Sequence, residues 1–305
     1  MKGFNPEGWL GEKEGVHTSY SEASIKDAVS SGEILSASAY MCDSEHNLLV
    51  SLGAMKGIIP RNEGAIGIEE GTTRDIALIS RVGKTVCFTV SEITEDNRGN
   101  KVALLSRKNA QLRCKRECLD KLVPGDIINA KVTHLESFGA FCDIGCGNIA
   151  LLPIDSISVS RITHPSDRFS AGDEIRVIIK SIDSAGRITL SHKELLGTWQ
   201  ENADKFEQGQ TVSGVIRSVE SYGVFVELAP NLAGLAEVKE NVRVGQSASV
   251  YIKSIIPEKM KIKLIIIDSF DSRPEIANTY FYEGDHIDSF LYSPYSSGRI
   301  IETVF

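Results

Sequence analysis

Two segments of this chain repeat one another. Residues 135–145 read LESFGAFCDIG and residues 219–229 read VESYGVFVELA, an aromatic–Gly–x–Phe–x–acid pattern recurring 84 positions later. An internal repeat governs the organisation of the fold around it. In a regular strand, residues three apart point to opposite faces. A glycine bulge at Gly139 or Gly223 would add one residue and reset that phase. The expectation is that Phe138 and Phe141, and likewise Tyr222 and Phe225, share an outward face. Cys142, Ile144, Val226 and Leu228 then point inward. Two exposed rings on one rigid strand form a stacking platform for unpaired bases.

The residues around each copy predict five strands. In the middle copy these are 126–135, 138–144, 148–152, 175–182 and 187–191, with a polar, Pro/Ser/Asp-rich loop over 153–172. In the last copy they are 211–219, 222–228, 233–238, 247–256 and 260–266, the fifth placing Lys261 and Lys263 on one face. A weaker copy, 32–39, 48–52, 57–60, 85–93 and 101–106, comes first. It carries His46-Asn47-Leu48-Leu49 where the others carry their rings. Five strands with a long third-to-fourth connection suit the Greek-key barrel of the OB-fold. The expected class is all-β, with tandem five-stranded barrels joined by short helices.

The divisions follow from this: an N-terminal segment with a helix at 1–31, barrels at 32–106, 124–194 and 208–268, linkers at 107–123 and 195–207, and a tail at 269–305. The first linker reads as a helix with Arg107, Lys108, Arg113, Lys115, Arg116 and Lys121 against Glu117 and Asp120. It is either a solvated connector or a phosphate-steering stripe. Trp199 should pin the second linker to a barrel, and the tail should pack on the third barrel.

Composition limits the function. The chain of 305 residues carries a net charge of −8, which argues against a non-specific duplex binder. It leaves room for single-strand binding through stacking and a few local cations. No run approaches the ~20 apolar residues of a membrane span, and the first residues lack an apolar signal core. The expected location is therefore cytoplasmic, with no membrane partner. The pairs Cys114/Cys118 and Cys142/Cys146 together would offer four zinc ligands, but at wider spacing than usual. The plainer reading is reduced thiols, with Cys142 in a core. Gly83-Lys84-Thr85 resembles the end of a P-loop, yet Leu78 stands where a glycine is needed and a strand follows. No catalytic motif is present, so neither an enzyme nor a small-molecule substrate or cofactor is expected.

The middle copy resembles an S1 domain, the RNA-binding OB-fold named after ribosomal protein S1. The resemblance is carried by PGDIINAKVTHLESFGAFCDIG, the His164-Pro165-Ser166 loop, and KSID followed by AGRITLSHKE. The last copy is a looser match, and the first matches mainly in strand order and KVALLSRK. The whole is similar to the short, three-repeat S1-like proteins of Gram-positive bacteria.

That resemblance implies RNA contacts from two rings of the second strand, the end of the third strand, and an Asp and Arg at the last turn. In the middle copy these are Phe138, Phe141, Pro153, Asp183 and Arg187. His164 stands in for a missing histidine, and Lys131 adds charge. His134 reads as an ordinary strand residue. In the last copy they are Tyr222, Phe225, Glu237, Ile256 and Lys261; in the first only Lys101 remains. The implied function is binding of single-stranded RNA, with mRNA held near the small ribosomal subunit. An accessory role in RNA decay or transcription is one alternative, and a protein-interaction scaffold without RNA binding is another.

Overall fold

In the computed structural model the described residues are 4–9, 19–272 and 278–305. Expectations about residues 1–3, 10–18 and 273–277 lie outside them.

Fifteen strands close into three five-stranded barrels. The first comprises β1 (Leu35–Cys42), β2 (Leu48–Ser51), β3 (Lys56–Ile59), β4 (Thr85–Glu95) and β5 (Lys101–Ser106). The middle one comprises β6 (Ile127–Glu136), β7 (Gly139–Asp143), β8 (Ile149–Pro153), β9 (Glu174–Ile182) and β10 (Ile188–Ser191). The last comprises β11 (Thr211–Glu220), β12 (Gly223–Ala229), β13 (Leu232–Ala236), β14 (Ser247–Ile256) and β15 (Lys261–Phe270). Each closes with its fifth strand between the third and the fourth. The third-to-fifth contact is parallel in every barrel.

The alternation that predicted the strands is also what closes them. In β15, Ile262, Leu264 and Ile266 enter the core while Lys261 and Lys263 stay in solvent. In β7, Ala140 and Cys142 are buried and Phe141 faces out. Strand ends shift by a few residues from the expected ones, most at β1 and β15. No helix among the described residues is long and apolar enough to cross a membrane.

Short helices accompany the barrels: α1 (Glu22–Ser31) before the first, α2 (Ile76–Ile79) between β3 and β4, and α3 (Arg107–Glu117) and α4 (Trp199–Ala203) in the linkers. Ser21 caps α1 by accepting from the Ser24 amide, and Ser106 caps α3 by accepting from the Asn109 amide. Trp199 is buried in the third barrel's core.

The chain packs as two compact units. One holds the first barrel with residues 129–131 and 143–149; the other holds the rest of the middle barrel, the third barrel and the tail. The tail does not pack on the third barrel alone. Tyr292 enters that core, whereas Tyr280, Tyr282 and Ile287 cover Ile127, Ile178 and Leu195 of the middle barrel and its flank. Its strands Ser289–Leu291 and Glu302–Val304 form a hairpin. The tail's aromatic residues cap apolar surface that the middle and last barrels leave open, which periodicity within a barrel does not reveal.

Candidate nucleic-acid interface

Phe138 and Tyr222 occupy the turns that lead into β7 and β12, one residue before each strand begins. Phe138 is 54% and Tyr222 67% exposed. Phe141 and Phe225 follow inside the strands and are half-buried. The ring centroids of Phe138 and Phe141 lie 6.0 Å apart at 89°, those of Tyr222 and Phe225 6.2 Å apart at 87°. Both pairs are edge-to-face, the arrangement the ring quadrupoles favour.

The expected glycine bulge is absent from the last barrel. Pairing runs Glu220 to Gly223, Val219 to Val224 and Ser218 to Phe225 without a break; the register shifts on β11, around Arg217. Tyr222 reaches the side of Phe225 because it precedes the strand. The glycine does something else. A Cβ at Gly139 would sit 2.5 Å from the Leu152 carbonyl oxygen, and one at Gly223 2.5 Å from that of Ala236. Glycine lets the end of the third strand close over the start of the second, and the Ile154 amide then donates to the Phe138 carbonyl at 3.0 Å.

Asp183 and Arg187 come together at the β9–β10 turn, with Arg187 Nε 2.7 Å from Asp183 Oδ2. The Ala185 and Arg187 amides both donate to Asp183 Oδ1 at 2.9 Å. The Arg187 amide and guanidinium hold the Asp183 carboxyl below its ordinary range. Asp183 thus shapes the turn and aims Arg187, which projects into solvent. Arg187 immediately precedes β10, which is separated from the ring-bearing β7 by β8.

His134 stacks on Phe141 at 6.3 Å and 24°, and its Nε2 lies 2.6 Å from Glu136. It is the third ring beside the pair, which its strand position alone did not reveal. Lys131 donates to the Gly8 carbonyl. His164 Nδ1 accepts from the Ser166 amide at 3.1 Å and caps the turn Pro165–Asp167.

On the last barrel, Phe225 pairs with Leu235 and Leu235 with Lys263, so Phe225 and Lys263 share one row across three strands. Two strand spacings put them about 10 Å apart. Lys261 lies two residues along, opposite Ile256. Lys263 was not among the sequence candidates; the parallel register of β13 and β15 identifies it. Glu237 pairs with Lys253 at 3.5 Å, so its charge is partly offset. In the first barrel, Lys101 is held by Glu22 at 2.7 Å. Asp43 and Asn47 build a polar loop where rings stand in the other copies.

Four of the six cations named in the basic linker are engaged with acids. Arg107 is buried and forms a two-pronged pair with Glu7, at 2.6 and 2.8 Å. Lys108 pairs with Glu69, Arg116 with Glu117, and Arg113 with Glu117 and the Gly32 carbonyl. Cys142 points into the middle barrel's core. The hydrogen bond to Cys146 and burial raise the Cys114 thiol. At Cys146 the same bond acts downward, and a bond to Cys87 together with burial outweighs it, so that thiol is raised as well. Among the described residues no group of His, Cys, Asp or Glu is arranged to hold a metal.

The acid that closes each repeat is buried. Asp143 accepts amide hydrogens from Glu7, Gly145 and Gly147. Burial and the nearby Glu7 carboxylate push it up to about 7. Glu227 lies 2.7 Å from Arg168 Nη2, and Arg217 Nε donates to its other oxygen.

Comparisons with known proteins agree with this geometry. Residues 121–193 match the S1 RNA binding domain model. The chain is 29% identical over 291 residues to the small ribosomal subunit protein bS1 homolog of Bacillus subtilis (strain 168), covering 93% of this chain and 69% of the relative. It is 33% identical over 194 residues to small ribosomal subunit protein bS1 of Leuconostoc lactis, covering 60% of this chain and 44% of that one. Against the bS1 protein of Staphylococcus aureus (strain COL) it is 32% identical over 203 residues, covering 64% and 50%. The matches thus span about half the length of these last two relatives.

Proposed function

We propose, for a chain that carries an S1 RNA-binding domain and is related to the bS1 proteins, that it binds single-stranded RNA on the outer faces of its middle and last barrels. Kinship with RNA-binding and ribosomal proteins sets it among proteins that bind rather than catalyse. The observation that carries the reading is the pair of edge-to-face ring clusters, at matching positions and reachable from solvent.

Phe138 and Phe141 receive two bases, and stacking contributes about 1–3 kcal/mol per base with little sequence preference. Arg187, aimed by Asp183, takes a phosphate or stacks on a base. Tyr222 and Phe225 repeat the platform beside Lys261. The competence of the barrels is graded: the middle one leads, and the first, without rings and with Lys101 already paired, contributes least. We take the domain limits to be 32–106, 124–194 and 208–268, with connectors between. We place the protein in the cytoplasm, with the small ribosomal subunit as its second partner, on its relatives' names alone.

The test is affinity of the full chain for short poly-pyrimidine RNA against a matched duplex. Phe138→Ala with Phe141→Ala should weaken single-strand binding by about tenfold or more. Unchanged affinity favours a protein-interaction scaffold, to which the net charge of −8 is suited. Co-sedimentation with ribosomes separates a role in translation from one in RNA decay or transcription.

A further inference from the structure

The loop between β8 and β9 belongs by sequence to the middle barrel, yet it lies along the outer face of the last one. Ser160 donates through its amide to the Pro230 carbonyl at 3.0 Å and through its hydroxyl to that of Ala229 at 3.2 Å. The Val159 amide donates to Asn231 Oδ1 at 3.0 Å. Further along, Arg168 meets Glu227, and Asp167 Oδ2 lies 3.4 Å from Arg217 Nη1. The same Asp167 oxygen accepts from the amides of Thr163 and His164. Both ends of the segment 160–168 are therefore fastened to the third barrel, and Arg161, Thr163 and His164 stand between the fastenings.

Those fastenings border the third barrel's ring platform. Arg217 is the bulged residue of β11, between the partners of Val226 and Phe225. Glu227 is two residues beyond Phe225 on the same face. The loop is therefore a wall along one side of the surface that carries Phe225. The other side is the β15 edge with Lys261 and Lys263. Arg161, Lys261 and Lys263 are exposed and engage no acid among the described residues, unlike Arg107, Lys108, Arg113 and Arg116 of the linker helix. His164 accepts at Nδ1, which leaves the hydrogen on Nε2 as a donor.

We propose that the last barrel's RNA site is composite: the middle barrel's loop supplies Arg161 and His164 to it, and Lys263 lines the opposite side, so a single strand stacked on Tyr222 and Phe225 passes between them. The proposal rests on the RNA-binding reading and adds to it. It assigns His164 to the neighbouring barrel's site rather than to its own. The buried Arg168–Glu227 pair holds the wall in place before RNA arrives, so no ordering of the loop opposes binding.

The experiment uses the full chain and a short oligouridylate RNA, with Arg161→Ala and His164→Asn made together. Asparagine keeps a cap for the Ser166 amide. The pair is placed in two backgrounds, one lacking the middle rings (Phe138→Ala, Phe141→Ala) and one lacking the last rings (Tyr222→Ala, Phe225→Ala). The expected result is a loss of about three- to tenfold in the first background and none in the second. The slope of log affinity against log salt should also become shallower by about 0.7 for the phosphate contact removed. Lys263→Ala should behave in the same way. A loss only in the second background, a loss in both, or a loss in neither overturns the composite site. Failure of the unmodified chain to bind the oligonucleotide overturns the RNA-binding reading itself, and this inference with it.

Discussion

Asp143 and Glu227 hold the same place in the two copies of the repeat, 84 positions apart, and both carboxylates are sealed from solvent. Asp143 lies among backbone amides beside the buried Glu7–Arg107 pair; Glu227 lies between Arg168 and Arg217. The repeated pattern is thus divided in its work. Its rings face solvent, and its acid anchors each strand to residues outside its own barrel.

Arg168→Ala removes one partner of a fully buried ion pair and leaves Glu227 with Arg217 alone. Loss of one such partner costs about 3–5 kcal/mol. Chemical denaturation should show a lower midpoint, with the third barrel's signals moving first. Replacing Arg168 by Met and Glu227 by Leu together should cost less than Arg168→Ala, because no charge is then left stranded. A single variant that melts like the original chain contradicts the role given to this pair.

Gly139→Ala places a methyl group against the Leu152 carbonyl oxygen, a backbone atom that cannot turn aside. The cost should be about 1–3 kcal/mol, typical of overpacking. RNA affinity should fall further than stability alone explains, since the Phe138 turn must shift. Gly223→Ala should repeat the effect on the last barrel. A crystal structure of the Gly139→Ala variant with the turn unmoved rules this out.

His192 is fully buried, with Nδ1 3.0 Å from the Ile157 carbonyl and Nε2 3.2 Å from the Tyr280 hydroxyl. The rings of Phe169 and Tyr280 meet it edge-on, and the Arg168 charge is nearby. Burial lowers its pKa from 6.5 to about 4; Arg168 adds to this, and the Ile157 hydrogen bond opposes it. The unfolded chain therefore takes up this proton first. Its contribution is complete above pH 6.5 and falls away as pH drops toward 4, on the order of 3 kcal/mol. Nuclear magnetic resonance should find the imidazole neutral at pH 5.5, and titration near 6.5 would falsify this.

Asp143 gives the opposite slope. Its folded value of about 7 exceeds the ordinary 3.8, so the folded state holds the extra proton between them. Stability of the first unit should fall as pH rises from about 4 to 7. Glu7 is lowered: burial works against this, but Arg107 prevails. Its contribution is present above 4.5 and is lost as pH falls through its folded value. Asp143→Asn should flatten the decline toward neutrality, read by urea melts at pH 5 and pH 7. An unaltered slope assigns it to other groups.

Much of the candidate site's layout was legible because a repeated ring pair is a local signal. Phe138, Phe141, Tyr222 and Phe225 were visible as a repeated pattern, and Asp183 and Arg187 through the resemblance to S1 domains. Lys263 and His134 needed strand register and ring geometry. Lys131, Arg107 and Lys101 read as available cations, yet Gly8, Glu7 and Glu22 occupy them, partners 79 to 123 positions away in the chain.

Alternation with a period of two, turn residues and a repeated segment determined the three barrels and the ring pairs from sequence alone, because each depends on neighbours within a few residues. The tertiary structure decided which charges are free, which acids are buried, and that the middle barrel's loop borders its neighbour's platform. Those outcomes depend on desolvation and on partners brought together only when the chain closes, and no local pattern encodes them.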